Sequence, residues 1–330
     1  MLTLLPVYAN NLGFICGGPY FQIILRLISM GSLDPMETSK WTLRDYMNYW
    51  HTFDTFKNRA LFRIKCRKMN NEISKKYLDR TVYHIRKQSW SYFYKVLQGL
   101  LMDLFFIITI PIYFYYYLPN WNPPLWTLLD FTTLESLNFV LFAIGLLSMI
   151  RINHTIYGHS FAIIFDIPFQ HAMQSQYYAT SIADFWANRW NLAVQPFLRR
   201  IGYEPILKWM NDKNSTSKVS YTTTVIATLC TFTFSGLIHE WLLLMLNVQS
   251  TGEQMIFFIL HGILLILEKF MIQMILKYTG YHLIKDSPKW LCWIYTYTII
   301  SWTAPLFFGT YIRAKVFDDF IILALRFNPF

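Results

Sequence analysis

His239 and Glu240 stand side by side inside an apolar run, FSGLIHEWLLLM at residues 234–245. Placing ionisable groups in hydrocarbon costs on the order of several kcal/mol unless they face a partner or a water-filled cavity. On a helix, Thr224, Thr228, Thr231, Ser235 and His239 follow i, i+4, i+7, i+11, i+15 and form one stripe. That stripe is polar in a segment otherwise made of Val, Ile, Leu and Phe, so it must face protein or water. A histidine in such a place is a group for moving a proton. Glu240 lies about 100° further round the helix and is expected to meet an Arg or Lys of a neighbouring helix. The plainer alternative is a structural histidine bonded to another helix, with hydroxyls bonded back to their own carbonyls. Intramembrane ionisable residues weigh towards function.

A second stretch, SIADFWANRWNLAVQPFL (Ser181–Leu198), also carries chemistry. Read as a helix, it places Asp184, Asn188, Asn191 and Gln195 on one face, and Trp186, Trp190, Ala193 and Phe197 on the opposite one. Pro196 is expected to kink or end it. An interfacial helix anchored by tryptophan is the bland reading. Such helices favour Lys and Arg on their polar face, whereas this one shows a carboxylate and carboxamides. Carboxamides at fixed spacing suit hydrogen bonding to a neutral ligand or to a developing oxyanion. His261 and Glu268 share a face of a third apolar segment and are expected to help position His239 or to line the same cavity.

Other motifs fail. Leu243 stands where HExxH needs its second histidine, so no zinc protease is indicated. There is no GxSxG, and Gly17–Gly18 lacks the GK[ST] of a phosphate loop. Cys16, Cys66, Cys230 and Cys292 are scattered, with no CxxC pair, so neither a metal nor a disulfide framework is proposed.

The elements that must position these residues are membrane spans. Only 15% of the chain is charged against 54% hydrophobic, where soluble domains carry about 25% charged residues. A span needs roughly 20 apolar residues. Candidates are Leu2–Met30, Val96–Leu118 with Pro111 inside, a span strongest from Leu134 to Ile150, Tyr221–Val248, Gln254–Leu276, and Lys289–Ile312 with Pro305 inside. His154–Gln176 is too short and punctuated to cross, and reads as re-entrant or interfacial. The expected fold is all-α: a polytopic membrane bundle of six or seven spans, in a single domain over residues 1–330. A cytosolic basic region covers 31–90 and a catalytic core 177–276. The net charge of +10 is concentrated between Lys57 and Lys87, where the only acids are Glu72 and Asp79. The positive-inside rule explains it. Anionic lipid headgroups or a polyphosphate substrate are further partners for those cations, and nucleic acid is not implied. No removable signal peptide is expected.

In SIADFWANRWN (Ser181–Asn191), LRRIGYEPI (Leu198–Ile206), FSGLIHEW (Phe234–Trp241) and LHGILLILEK (Leu260–Lys269), the chain resembles the membrane-bound O-acyltransferase superfamily, within it the wax-synthase-like branch. The resemblance covers roughly the last half of the chain, which is short for that superfamily. Unlike the sterol and diacylglycerol acyltransferases, Asp184-Phe-Trp is separated here from Trp190-Asn191 by three residues, as in the wax-synthase branch.

The resemblance implies a bundle of tilted helices around an intramembrane reaction chamber, usually in the endoplasmic reticulum. His239 matches the family's catalytic histidine. Asn191 matches the asparagine near the reacting thioester, and Asp184, Trp186, Arg189 and Trp190 match the residues that shape the acyl-donor site. Asn188, Ser235, His261 and Glu268 are added as substrate-binding candidates. The implied partners are acyl-CoA, as co-substrate rather than cofactor, and a lipophilic alcohol, with no metal. A neutral imidazole taking the hydroxyl proton contributes typically 10²–10⁴-fold. The expected activity is transfer of a fatty-acyl group to a long-chain alcohol. Acetyl or short-acyl transfer to a sterol or terpenoid hydroxyl is the alternative within the class. A proton-coupled transporter using His239 as relay and an idle lipid-binding scaffold are the alternatives outside it.

Overall fold

The computed structural model describes residues 90–129, 135–165, 173, 176–192, 194–210, 220–245 and 248–318. The expected span Leu2–Met30, the basic loop Lys57–Lys87, Ala193 and the polar loop at 211–218 lie outside them. Everything described is helix, turn or irregular chain, with no strand among the described residues.

Among the described residues, five helices are long and apolar enough to cross a membrane. They are α1 (Trp90–Tyr117), α2 (Glu135–Phe165), α6 (Tyr221–Met245), α7 (Glu253–Thr279) and α8 (Lys289–Arg313). They coincide with five of the spans read from apolar runs, and the chain is a multi-pass membrane protein. Among the described residues between α2 and α6 are three short α-helices, α3 (Ile182–Asp184), α4 (Gln195–Leu198) and α5 (Glu204–Met210). Two π-helical turns, Phe185–Arg189 and Arg199–Tyr203, are interleaved with them.

One expectation is corrected at the end of α2. Residues 154–165 continue that helix instead of forming a separate re-entrant piece. The apolar span itself is Glu135–Ile152, and one glycine, Gly158, costs only about 1 kcal/mol relative to alanine, too little to stop a helix already nucleated ahead of it.

The described long helices pack as a series joined through α8, which touches both α2 and α7. α1 lies against α2, and α2 against α8. Phe114, Phe142 and Phe317 meet there, with ring centroids 4.5–5.7 Å apart. Asp103 on α1 pairs with Arg151 on α2 at 3.3 Å. α6 lies along α7, and α7 along α8. The α6–α7 contact is close because Gly236 faces Met255: a Cβ built on Gly236 would sit 2.9 Å from the Met255 Cα. Gly202 makes the same kind of approach to α6, 2.8 Å from the Thr231 Cα. A buried ion pair between Arg313 of α8 and Glu253 of α7 fixes the far end. Glu253 also accepts from Thr251 Oγ1 at 2.8 Å, Thr310 Oγ1 at 3.0 Å and the Trp126 amide at 2.9 Å. A carboxylate so fully bonded can be buried without an unpaired charge.

Candidate functional site

The polar stripe on α6 opens onto a cavity of about 330 Å³. Thr228, Thr231, Ser235 and His239 line it, whereas Thr224 does not. Thr228 and Thr231 also bond back to their own helix, donating to the Thr224 carbonyl at 2.8 Å and the Ala227 carbonyl at 2.7 Å. Both sequence readings of the stripe therefore apply. The hydroxyl protons are used within α6, and the oxygens still form part of a cavity wall.

His239 is half-buried. Phe258 of α7 stacks on its ring at 4.6 Å with 26° between planes, and Phe307 of α8 meets it edge-on at 5.3 Å. Nδ1 is buried without a hydrogen-bond partner among the described residues. That leaves Nε2 as the nitrogen with access to the cavity. The neighbouring Glu240 turns away, as its position on the helix predicts, but among the described residues its partner is not an Arg or Lys. It accepts from Ser250 Oγ and from the Met255 amide, the latter at 3.1 Å. The first amides of α7 have no intrahelical acceptor, and a carboxylate opposite them satisfies one and favours the helix dipole.

The second wall comes from residues 181–198, where the single amphipathic helix expected from the sequence is corrected. Ser181 caps α3, accepting from the Asp184 amide at 2.8 Å. The chain widens into the π turn, closed by Trp190 N donating to the Phe185 carbonyl at 2.8 Å. Trp190 is then extended, and Asn191 adopts a left-handed backbone with φ 41°. Asn tolerates that region better than most residues. The Asn191 carbonyl starts the next turn, accepting from Val194 N and Gln195 N. Pro196 does not end a helix but sits at the start of α4, where its missing N–H costs nothing. Because the helix is broken, the two expected faces do not stay opposite: Trp186, Trp190, Asn191 and Gln195 all line the cavity.

Asp184, Asn188 and Arg189 are not among the lining residues. They hold the π turn together. Arg189 Nε donates to Asp184 Oδ2 at 2.6 Å, Asn188 Nδ2 to Oδ1 at 3.1 Å, and the Thr180 amide to Oδ2 at 3.3 Å. Burial pushes the Asp184 carboxyl up. Hydrogen bonds from Arg189, Asn188 and Thr180, with the Arg189 charge, outweigh it and hold the group below its ordinary 3.8.

His261 and Glu268, expected to position His239 or line its cavity, do neither directly. Both are buried on α7, and neither is a lining residue. Glu268 caps α3, accepting from the Ile182 amide at 2.8 Å and the Ala183 amide at 2.9 Å. His261 accepts from Trp186 Nε1 at 3.0 Å and meets Thr303 Oγ1 at 2.8 Å. Sequence reasoning missed Phe258, Tyr203 and Lys269 as lining residues. Tyr203 and Lys269 fall within the stretches singled out above. Only the α6–α7 contact and the fold-back of residues 199–210 against α6 bring them to the cavity.

The site thus faces a histidine nitrogen and a carboxamide residue across one mostly apolar space, an arrangement able to move a proton beside a group that can donate to an oxyanion.

Known proteins agree with this region. Residues 169–260 match the model of the membrane bound O-acyl transferase family. An Arabidopsis thaliana protein described as probable long-chain-alcohol O-fatty-acyltransferase 7 is 32% identical over 139 residues, 42% of this chain and 38% of its own. Probable long-chain-alcohol O-fatty-acyltransferase 3 of the same plant is 36% identical over 93 residues, 28% of this chain and 26% of its own. Its acyl-CoA–sterol O-acyltransferase 1 is 33% identical over 98 residues, 29% of this chain and 27% of its own. The match to these relatives thus spans less than two fifths of their length. The resemblance read from the sequence holds: its motifs at Ser181–Asn191, Leu198–Ile206 and Phe234–Trp241 all fall within the residues 169–260 that match the membrane bound O-acyl transferase family.

Proposed function

We propose that the protein is an acyl-CoA-dependent O-acyltransferase that esterifies a lipophilic alcohol, with a long-chain alcohol as the first choice of acceptor. The single observation that carries this reading is that His239 and Asn191, from separate elements, line the same cavity. The names of the matched relatives support the substrate class.

The chemistry follows from the side chains. A neutral imidazole accepts the hydroxyl proton at Nε2 while the alcohol oxygen attacks the thioester carbonyl carbon. The carbonyl oxygen becomes an oxyanion, to which the Asn191 carboxamide donates. The C–S bond then breaks, and the imidazolium returns its proton to the departing thiolate, giving the ester and coenzyme A. No acyl-enzyme is needed. The Phe258, Phe232 and Trp186 rings exclude water, the competing acceptor. A membrane setting suits apolar chains, and the endoplasmic reticulum is the compartment the resemblance implies.

One relative is named for a sterol acceptor, so transfer to a sterol hydroxyl is kept as the second reading. The test is an assay of the purified full chain with labelled palmitoyl-CoA and acetyl-CoA against a panel of long-chain alcohols and sterols. The first reading expects palmitoyl esters of long-chain alcohols. Steryl esters support the second, and no ester from any pair defeats both.

A further inference from the structure

His261 has no place in the chemistry above, yet it is completely buried in a membrane helix, where an ionisable side chain calls for a function. Its bonds form a directed chain. Trp186 Nε1 is a donor only, so His261 Nδ1, at 3.0 Å, is the acceptor. A neutral imidazole accepting at Nδ1 carries its proton on Nε2, and Nε2 therefore donates to Thr303 Oγ1 at 2.8 Å. The Thr303 hydroxyl passes its own proton to the Ile299 and Ile300 carbonyls, each at 3.1 Å. Every donor in the chain is used, and Thr303 is as fully buried as His261.

The free end of this chain is the Trp186 indole, a cavity wall. Trp186 sits on the π turn, the irregular part of the site, where backbone bonding alone fixes a ring least. Its ring meets Phe258 at 5.7 Å, and Phe258 is the ring that stacks on His239. Phe257 braces His261 from behind at 4.4 Å.

We propose that His261, backed by Thr303, is a positioning residue that locks the Trp186 indole as the cavity wall next to the His239–Phe258 stack and thereby sets which acyl chain lengths the site accepts. This rests on the acyltransferase reading for its substrate. The lock itself does not depend on that reading. His261 acts through Trp186 and touches no reacting atom.

The test uses the full chain in nanodiscs, labelled with 5-fluorotryptophan, and four variants: His261→Phe, His261→Gln, Trp186→Phe and the Trp186→Phe/His261→Phe double. The Trp186 fluorine resonance is assigned by its loss in Trp186→Phe. In His261→Phe it is expected to shift or broaden, because the indole N–H has lost its acceptor. His261→Gln offers both an acceptor and a donor, and is expected to restore it in part. In turnover, His261→Phe is expected to change the ratio of kcat/KM for palmitoyl-CoA to that for decanoyl-CoA by about 10-fold, the scale of a small misplacement of a site wall. The double variant should be no worse than Trp186→Phe alone, because His261 acts only through that indole. A merely structural role lowers the amount of active protein and leaves that ratio unchanged. An unmoved Trp186 resonance, or an unaltered chain-length ratio in active His261→Phe, overturns the proposal. If His261→Phe does not fold, the same two readouts on His261→Gln and Thr303→Val decide it. A wild-type protein without transferase activity overturns the acyltransferase reading and the chain-length clause together, while the fluorine shift still decides the lock.

Discussion

Phe258 lies against the His239 imidazole with ring centroids 4.6 Å apart and 26° between their planes. The pair joins α6 to α7 at the cavity and holds the ring in one plane while Nδ1 stays without a hydrogen-bond partner among the described residues. Packing thus orients this histidine where a carboxylate or carbonyl usually does. Phe258→Leu keeps an apolar side chain but loses the stack. It is expected to lower kcat by about 10-fold with KM for acyl-CoA little changed, since a base swung from its near-attack position costs rate more than binding. Steady-state kinetics on the purified variant check this.

Asn191 separates backbone from side chain in an unusually clean way. Its φ of 41° favours glycine. Asn191→Gly therefore keeps the turn and removes only the carboxamide, whereas Asn191→Ala adds strain of about 1 kcal/mol. Loss of an oxyanion donor costs about 10²–10³ in kcat. Both variants are expected to fall by that order, with Asn191→Ala also less heat-stable. A rise in KM alone would make Asn191 a binding residue.

Asp184 links the site to pH. Its carboxyl is held below its ordinary 3.8 when folded. A depressed folded pKa stabilises the protein at pH values above the unfolded one, and the contribution is lost as pH falls through the folded value. Neutral and mildly acid buffers down to about pH 5 should leave this contribution intact, with loss setting in only below the ordinary carboxylate value of 3.8. Thermal melts of wild type and Asp184→Asn in nanodiscs across that range check it. The variant should be less stable at neutral pH, and the difference should shrink only in the acid window.

Glu268 is predicted to be a structural anchor, not a substrate ligand. Glu268→Ala leaves the Ile182 and Ala183 amides without their acceptor, at about 1–3 kcal/mol for each buried group left unpaired. The melting temperature should drop, with acyl-CoA affinity of the folded fraction unchanged.

Gly236 sets how near α7 comes to the histidine helix. A Cβ there would meet the Met255 backbone at 2.9 Å, so Gly236→Ala must part the two helices. About 1–3 kcal/mol of destabilisation is expected from such overpacking, with a fall in kcat, because Phe258 moves away from His239.

Much of this arrangement is written in local patterns. Apolar runs of bilayer length locate α1, α6, α7 and α8, and the period of Thr228, Thr231, Ser235 and His239 identifies the cavity face of α6. What failed was the assumption of regular geometry. Residues 181–198 have the periodicity of one helix, but the π turn at Phe185–Arg189 and the left-handed Asn191 rotate the residues beyond them, so Trp190 and Asn191 face one space. The partners of Glu240, His261 and Glu268 are backbone amides and distant side chains. No spacing in the sequence encodes a bond to a neighbouring helix, because helix pairing is decided by packing.

The most direct measurement of the central claim is single-turnover transfer from labelled palmitoyl-CoA to a long-chain alcohol by His239→Ala and wild type, both purified in nanodiscs with matched melting curves. If the His239 imidazole accepts the hydroxyl proton, the variant loses rate by about 10²–10⁴-fold while still binding acyl-CoA. Transfer within about three-fold of wild type, under RT ln 3 or roughly 0.7 kcal/mol of barrier, would contradict it.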